Sequence, residues 1–239
     1  MTEYGAREEI LADIRRALHR GVQSAAPHRE CVSSASSQLD RSVSEIKNIC
    51  GEHRGELIEQ FECELARIGA RCHRASTVES AYQYIEQVAF VRDARAFIGW
   101  RTPFLDDTDL PKRLEARGIK FVTEMTEGEL IQEAAAADVG LSGVDYALAD
   151  TGTLVLVARN GQPRSVSLLP PVHIAVVKPE QVLSGLSDLF PLLRSEAVGR
   201  DLSSAITFIT GPSRTADIEL TLVVGVHGPQ QLHVVLLEK

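Results

Sequence analysis

Residues 146–158 read YALADTGTLVLVA, two short apolar runs divided by Asp150, Thr151 and Gly152. Asp and Gly between apolar runs mark a strand junction. The chain changes character at this point. Upstream, apolar residues fall mostly at helical spacing, with short apolar runs between. Leu57, Ile58, Phe61, Leu65 and Ile68 predict a helix over 54–68, followed by a strand near 70–75. Ser76 and Glu79 have the spacing of a capping box and open an expected helix over about 78–91. ARAFIG and IKFVT read as strands, the cluster from Asp106 to Pro111 starts a helix between them, and Thr126 with Glu129 caps ELIQEAAAAD. Downstream, YALADTGTLVLVA, HIAVV, AITFIT, ELTLVVGV and LHVVLL are strands, and only PEQVLSGLSDLFPLL (179–193) reads as helical. Alternating strands and helices predict an α/β domain with a largely parallel sheet. The later strands add a mixed character, with antiparallel hairpins expected towards the C-terminus.

Outside this domain, Ile10, Leu11, Ile14 and Leu18 lie on one helical face, and a Ser- and Ala-rich stretch without apolar period follows. The expected organisation is an N-terminal amphipathic helix and linker over 1–43, appended to a domain over 44–239.

Composition excludes several function classes. The net charge is −8, and cations are not clustered, so nucleic acid and anionic membranes are poor partners. No apolar run approaches the ~20 residues that span a bilayer, and the N-terminus lacks a signal-peptide core. A cytoplasmic location is the expectation. Cys31, Cys50, Cys63 and Cys72 match no metal-binding or iron–sulfur spacing and read as reduced thiols. P-loop, GxGxxG, GxSxG and HExxH motifs are absent, so the expectation is no cofactor and no metal.

Three polar segments interrupt the strands, and in an open α/β sheet such loops gather at the carboxyl ends of strands. In ADTGT, Asp150, Thr151, Gly152 and Thr153 form either a plain turn or an anion cradle of backbone N–H groups. In GPSRTADIE, Gly211 ends a strand, Ser213 and Thr215 supply hydroxyls, and Arg214 can grip a carboxylate or phosphate. Equally, Arg214 can pair internally with Asp217 or Glu219; the sequence leaves both open. In GVHGP, His227 stands between Gly225 and Gly228 and is a weak candidate for general acid–base work. His173, in PPVHIAVV, reads as structural. The expected ligand-binding set is Asp150, Thr151, Gly152, Thr153, Gly211, Ser213, Arg214, Thr215 and Gly228, and Asp150, Thr151, Gly152, Ser213, Arg214, Thr215 and His227 are expected to line one pocket. His227 and Glu219 are the weak catalytic candidates.

ADVGLSGVDYALADTGTLVL, SLLPPVHIAVV, ITGPSRTADIE and GVHGPQQLHVVLL together, in this order, resemble the LUD-domain proteins, in particular the lactate utilization protein C (LutC) family. The resemblance covers roughly residues 119–238. It implies a NagB/RpiA/CoA-transferase-like α/β sandwich and a role in bacterial oxidation of L-lactate to pyruvate. It also implies LutA-like and LutB-like iron–sulfur partner proteins, with this chain as a subunit that leaves electron transfer to them. A stand-alone isomerase or acyl-CoA transferase acting on a small anionic metabolite is the alternative, with Glu219 as the nucleophile candidate. A scaffold with a vestigial site is the third reading.

Overall fold

The computed structural model describes Asp13, Arg16 and residues 42–100, 109–123, 127–159, 161–197, 205–215 and 223–238. Apart from Asp13, Arg16, Ser42 and Val43, the expected N-terminal helix and linker lie outside the described residues, as do the Thr126 cap, Asp217 and Glu219. The chain divides into compact units of residues 1–42 and 43–239. The second runs α1 (Val43–Glu52), α2 (Arg54–Arg67), β1 (Arg71–Ala75), α3 (Val78–Val91), β2 (Ala96–Gly99), α4 (Leu110–Glu115) and β3 (Lys120–Val122). Then come α5 (Glu127–Ala136), β4 (Val139–Gly143), β5 (Tyr146–Leu148), β6 (Thr153–Val157), α6 (Ser165–Leu168) and β7 (Val172–Val177). A 3₁₀ turn (Pro179–Gln181), β8 (Val182–Leu183), α7 (Leu186–Ala197), β9 (Ile206–Ile209), β10 (Arg214–Thr215), β11 (Val223–Val224) and β12 (Gln231–Leu237) complete it.

The α/β class with a largely parallel sheet is borne out. Six strands in the order β1-β12-β7-β4-β2-β3 pair parallel throughout. The mixed character resides in a separate four-stranded sheet, β8-β5-β6-β9, in which β6 runs antiparallel to both neighbours. The C-terminal strand does not form a hairpin in the main sheet. Its residues from Leu232 to Leu237 are all buried, as suits a centre position covered on both faces, and β12 lies between β1 and β7.

Strand periodicity sorts the core into layers. Ile174, Val176, Val235 and Leu237 face Ala81, Ile85, Leu110 and Leu114 of α3 and α4. On the other face, Ala175, Val177, Val234 and Leu236 meet Phe61 and Leu65 of α2, Val166 of α6, and Leu154 and Leu156 of the second sheet. Val155, between those two leucines, points the opposite way, into a cluster with Leu148, Ile46 of α1 and Leu189 of α7. Strand β6 of the second sheet is thus buried on both sides, while Ile206 and Phe208 of its edge strand β9 are exposed.

Two local expectations change. The cap of α3 is Thr77 rather than Ser76: its extended backbone lets the hydroxyl accept from Ser80 N at 3.1 Å. Residues 179–193 are not one helix. The chain extends at Val182–Leu183 to pair with β5 and turns at Gly185 before α7 begins. The apolar pair that fits a helical period is claimed by a sheet edge.

Candidate functional site

The site is built on the C-terminus of α2. The helix ends in a Schellman motif: Ala70 N donates to Leu65 O (2.9 Å), Gly69 N donates to Ala66 O (3.1 Å), and Gly69 holds φ +81°. This closure leaves the Ile68 carbonyl to find a donor elsewhere. Arg214, from β10, supplies it: Nη2 donates to Ile68 O at 2.8 Å. A cation at the negative end of the helix is electrostatically favoured. Arg214 itself is exposed, and its remaining donors have no partner among the described residues.

Two glycines bring the other motifs to the same helix end. Gly152 turns β5 into β6 at φ +65°, and a Cβ there would lie 2.9 Å from Leu65 N and 3.2 Å from Ile68 Cδ1. Gly211, at φ +87°, lies so close that a Cβ would stand 3.1 Å from Ile68 O. The turn and the arginine loop therefore meet at Ile68. Threonines link them directly. Thr151 donates to Asp150 Oδ1 (3.1 Å), Thr153 donates to Thr151 Oγ1 (2.8 Å), and Thr153 Oγ1 lies 2.8 Å from Thr210 Oγ1. The Asp150 carboxylate lies over Gly185 in the turn before α7, where a Cβ would be 2.4 Å from Oδ2.

Ser213, Gly228 and His227 form a second group beside the first. Ser213 N donates to Pro229 O, Ser213 O accepts from Gly225 N, both at 2.9 Å, and Gly228 packs on the Ser213 side chain. Thr215 pairs with Val223 in the short β10–β11 ladder. His227 lines a cleft of about 340 Å³ with Leu168, Leu169, Pro171 and Gln230, and that wall includes neither Arg214 nor Asp150. The nine expected ligand residues and His227 thus fall into two adjoining groups.

The location also differs from expectation. Ile68 precedes β1, Pro171 precedes β7, and Gln230, whose N donates to Pro171 O at 2.8 Å, precedes β12. Both groups lie at the amino ends of these parallel strands, not at their carboxyl ends. The Gly211–Arg214 loop leaves the second sheet, and GVHGP leads into β12 instead of following it. Thr210, Ile68 and Gly69 were missed as members of the site. Gly69, directly after the last apolar residue of α2, carried the signal of a C-terminal helix cap.

Two buried histidines lie elsewhere. His173 Nε2 is 2.8 Å from Ser142 Oγ, and complete burial pushes its pKa down to about 3. On the opposite face, Tyr84 OH lies 2.9 Å from His233 Nδ1, and His73 stacks on Tyr84 at 4.3 Å. Burial, with Arg71 and Arg92 nearby, pushes His233 down to about 4. Both rings are neutral at pH 7, so Tyr84 donates to Nδ1 and Nε2–H faces Gln231 Oε1 at 3.3 Å. Among the described residues no group of three His, Cys, Asp or Glu side chains can hold a metal, and no helix is long and apolar enough to cross a membrane.

The family model of the LUD domain matches residues 58–237, from the middle of α2 to the end of β12. The chain belongs to the LUD domain family. The LUD domain so defined contains Ile68, the ADTGT turn, Arg214 and His227. Lactate utilization protein C of Halalkalibacterium halodurans is 34% identical over 97% of both chains. The protein of that name from a Geobacillus species is 31% identical over 76% of this chain and 78% of its own. A crystal structure of a DUF162 family protein from Deinococcus radiodurans superposes with a TM-score of 0.52 over 77% of this chain and 98% of its own. It is 23% identical and supports the α/β fold.

Proposed function

We propose that this LUD-domain chain acts in bacterial lactate utilization, as a subunit of a system that oxidises L-lactate to pyruvate beside iron–sulfur partner proteins. The observation that carries the reading is the similarity, over 97% of both chains, to a lactate utilization protein C. In this reading the chain's own part is to hold a small carboxylate. Arg214 is the anchor, because its exposed guanidinium uses one donor on Ile68 and keeps others for a planar carboxylate. Asp150, Thr151, Thr153, Gly152 and Gly211 shape the adjoining rim, and Ser213, Thr215 and Gly228 hold the loop that carries the arginine. His227 and Gln230 face the neighbouring cleft, which gives His227 a place near the ligand without a defined chemical step. Electron transfer belongs to the partners in this scheme.

The test is genetic and physical together. Deleting the gene in its host should abolish growth on L-lactate, and the wild-type chain should restore it. Arg214→Ala should fail to restore it at equal protein abundance. A tagged chain purified anaerobically should retain iron–sulfur proteins. Normal growth of the deletion strain on L-lactate would refute the role. Full rescue by Arg214→Ala would refute the anchor alone.

A further inference from the structure

The face of the main sheet covered by α3 carries a polar cluster at its β1 edge. In the parallel pairing of β1 with β12, Arg71 is in register with His233 and His73 with Val235, so all four side chains point to one face. Val235 and Ala75 pack there on α3, which fixes the face. Ser80, Tyr84, Val88 and Arg92 recur at i+4 spacing along α3 and its C-terminal cap, and so form one stripe. The stripe runs against the strand direction. Ser80 Oγ lies 3.2 Å from His73 Nε2, and Tyr84 OH, one turn later, lies 2.9 Å from His233 Nδ1, nearer the strand starts. Arg92, about two turns further on, is thereby carried to the amino ends of β1 and β12, where Arg71 stands. Both guanidinium charges act on the His233 ring.

Arg67, Arg74, Arg95, Arg113 and Arg117 each pair with a carboxylate. Arg71 and Arg92 are exposed and have no carboxylate partner among the described residues. Asp93, directly after Arg92, is taken by Arg95 at 3.8 Å. A third donor stands between the two arginines and the buried ring. Tyr84 donates to His233 Nδ1, so Nε2 carries the hydrogen and Gln231 Oε1 accepts it at 3.3 Å. That order turns the Gln231 oxygen inward and leaves its amide hydrogens without a partner among the described residues.

We infer that Arg71, Arg92 and the Gln231 amide form a second anion site, on the α3 face of the main sheet, and that it takes a phosphate group. The site is separate from Arg214, which binds the end of α2 on the other face, and it does not rest on the carboxylate reading of that residue. Two cations from different elements, with no counter-charge of their own, suit a ligand with about two negative charges and several acceptor oxygens. A phosphate has both at pH 7, and a monocarboxylate has neither.

Titration calorimetry of the full chain with inorganic phosphate and with glycerol 3-phosphate, at constant ionic strength, tests this. Saturable binding of one phosphate group per chain is expected. Arg71→Gln and Arg92→Gln should each weaken it about 10-fold or more, the effect of losing a charge-assisted hydrogen bond. Arg95→Gln removes a neighbouring cation that Asp93 already holds, and should leave the affinity unchanged. All three side chains are exposed, so melting curves should show each variant folded. Tighter binding of the ester would assign the site to a phosphorylated metabolite, and tighter binding of the free ion would assign it to inorganic phosphate. Absence of saturable binding, undiminished affinity in either Arg71→Gln or Arg92→Gln, or equal weakening by Arg95→Gln would overturn the inference.

Discussion

Arg214 reaches back 146 positions to donate to the carbonyl oxygen of Ile68 at 2.8 Å. The bond ties the loop after the second sheet to the end of α2. It also gives Arg214 a structural duty in addition to the ligand contact proposed for it. Arg214→Ala should lose about 1 kcal/mol of stability, the net worth of one hydrogen bond, which corresponds to ~2–4 °C in Tm for a domain of this size. Arg214→Lys should lose less, since an ammonium can still cap the helix. Differential scanning calorimetry on the pair checks the order; a lysine variant no more stable than the alanine one would contradict the capping role.

Gly152→Ala should be far more damaging than Gly161→Ala. Both glycines have positive φ, +65° and +77°, so each substitution costs about 1–2 kcal/mol of backbone strain. Beyond that, a Cβ at 152 stands 2.9 Å from the backbone of Leu65, whereas nothing lies within 4 Å of one at 161. Overpacking against a helix backbone adds ~1–3 kcal/mol. Urea unfolding of the two variants isolates that difference; equal losses would show that α2 yields freely.

Stability should fall as pH drops below about 6. His173 and His233 are neutral in the fold, with pKa values pushed down to about 3 and about 4. The unfolded chain protonates them near pH ~6.5. Between those limits the unfolded state binds more protons, so acid favours unfolding, by about 1.4 kcal/mol per pH unit for each histidine well inside the window. Chemical unfolding at pH 7, 6 and 5 measures the slope. His173→Leu should remove its own share of that slope even though it leaves Ser142 without its partner; a slope unchanged in that variant would reject the assignment.

Arg113→Ala should destabilise more than Arg117→Ala. Glu86 is buried to 5% exposure on α3 and is held by both arginines, at 2.7 Å and 2.8 Å. Arg113 grips it with two donors, also binds Glu79 at 2.6 Å, and lies 5.3 Å from the Tyr82 ring centre. Arg117 makes the single contact from a more exposed position. Losses of about 1–3 kcal/mol and under ~1 kcal/mol respectively follow from bidentate and surface pairing. Thermal melts that reverse this order would show that Arg117 carries the α3–α4 connection.

Some of the site was legible residue by residue. Asp150, Gly152 and Arg214 could be singled out because glycine beside polar residues between apolar runs has few local explanations. The choice between an arginine paired with Asp217 or Glu219 and one aimed at a ligand could not be made. The partner actually found, a helix-terminal carbonyl, has no side-chain signature at all. Thr210 escaped for a related reason. Thr suits a strand end, and its meaning appears only once β6 and β9 pair and bring it to Thr153.

The sequence by itself determined the local elements and the faces they bury. Helical period marked α2, a capping-box spacing marked α3, short apolar runs marked β7 and β12 as strands, and glycines marked the turns. These depend on interactions within a few residues and on burial, which composition and spacing encode directly. Tertiary structure alone decided that β12 inserts between β1 and β7, that the antiparallel strands form a sheet of their own, and that the polar loops gather at the amino ends of parallel strands. Strand order and loop placement follow from which apolar faces can be covered at once. That is a condition on the whole chain, and no single segment carries it.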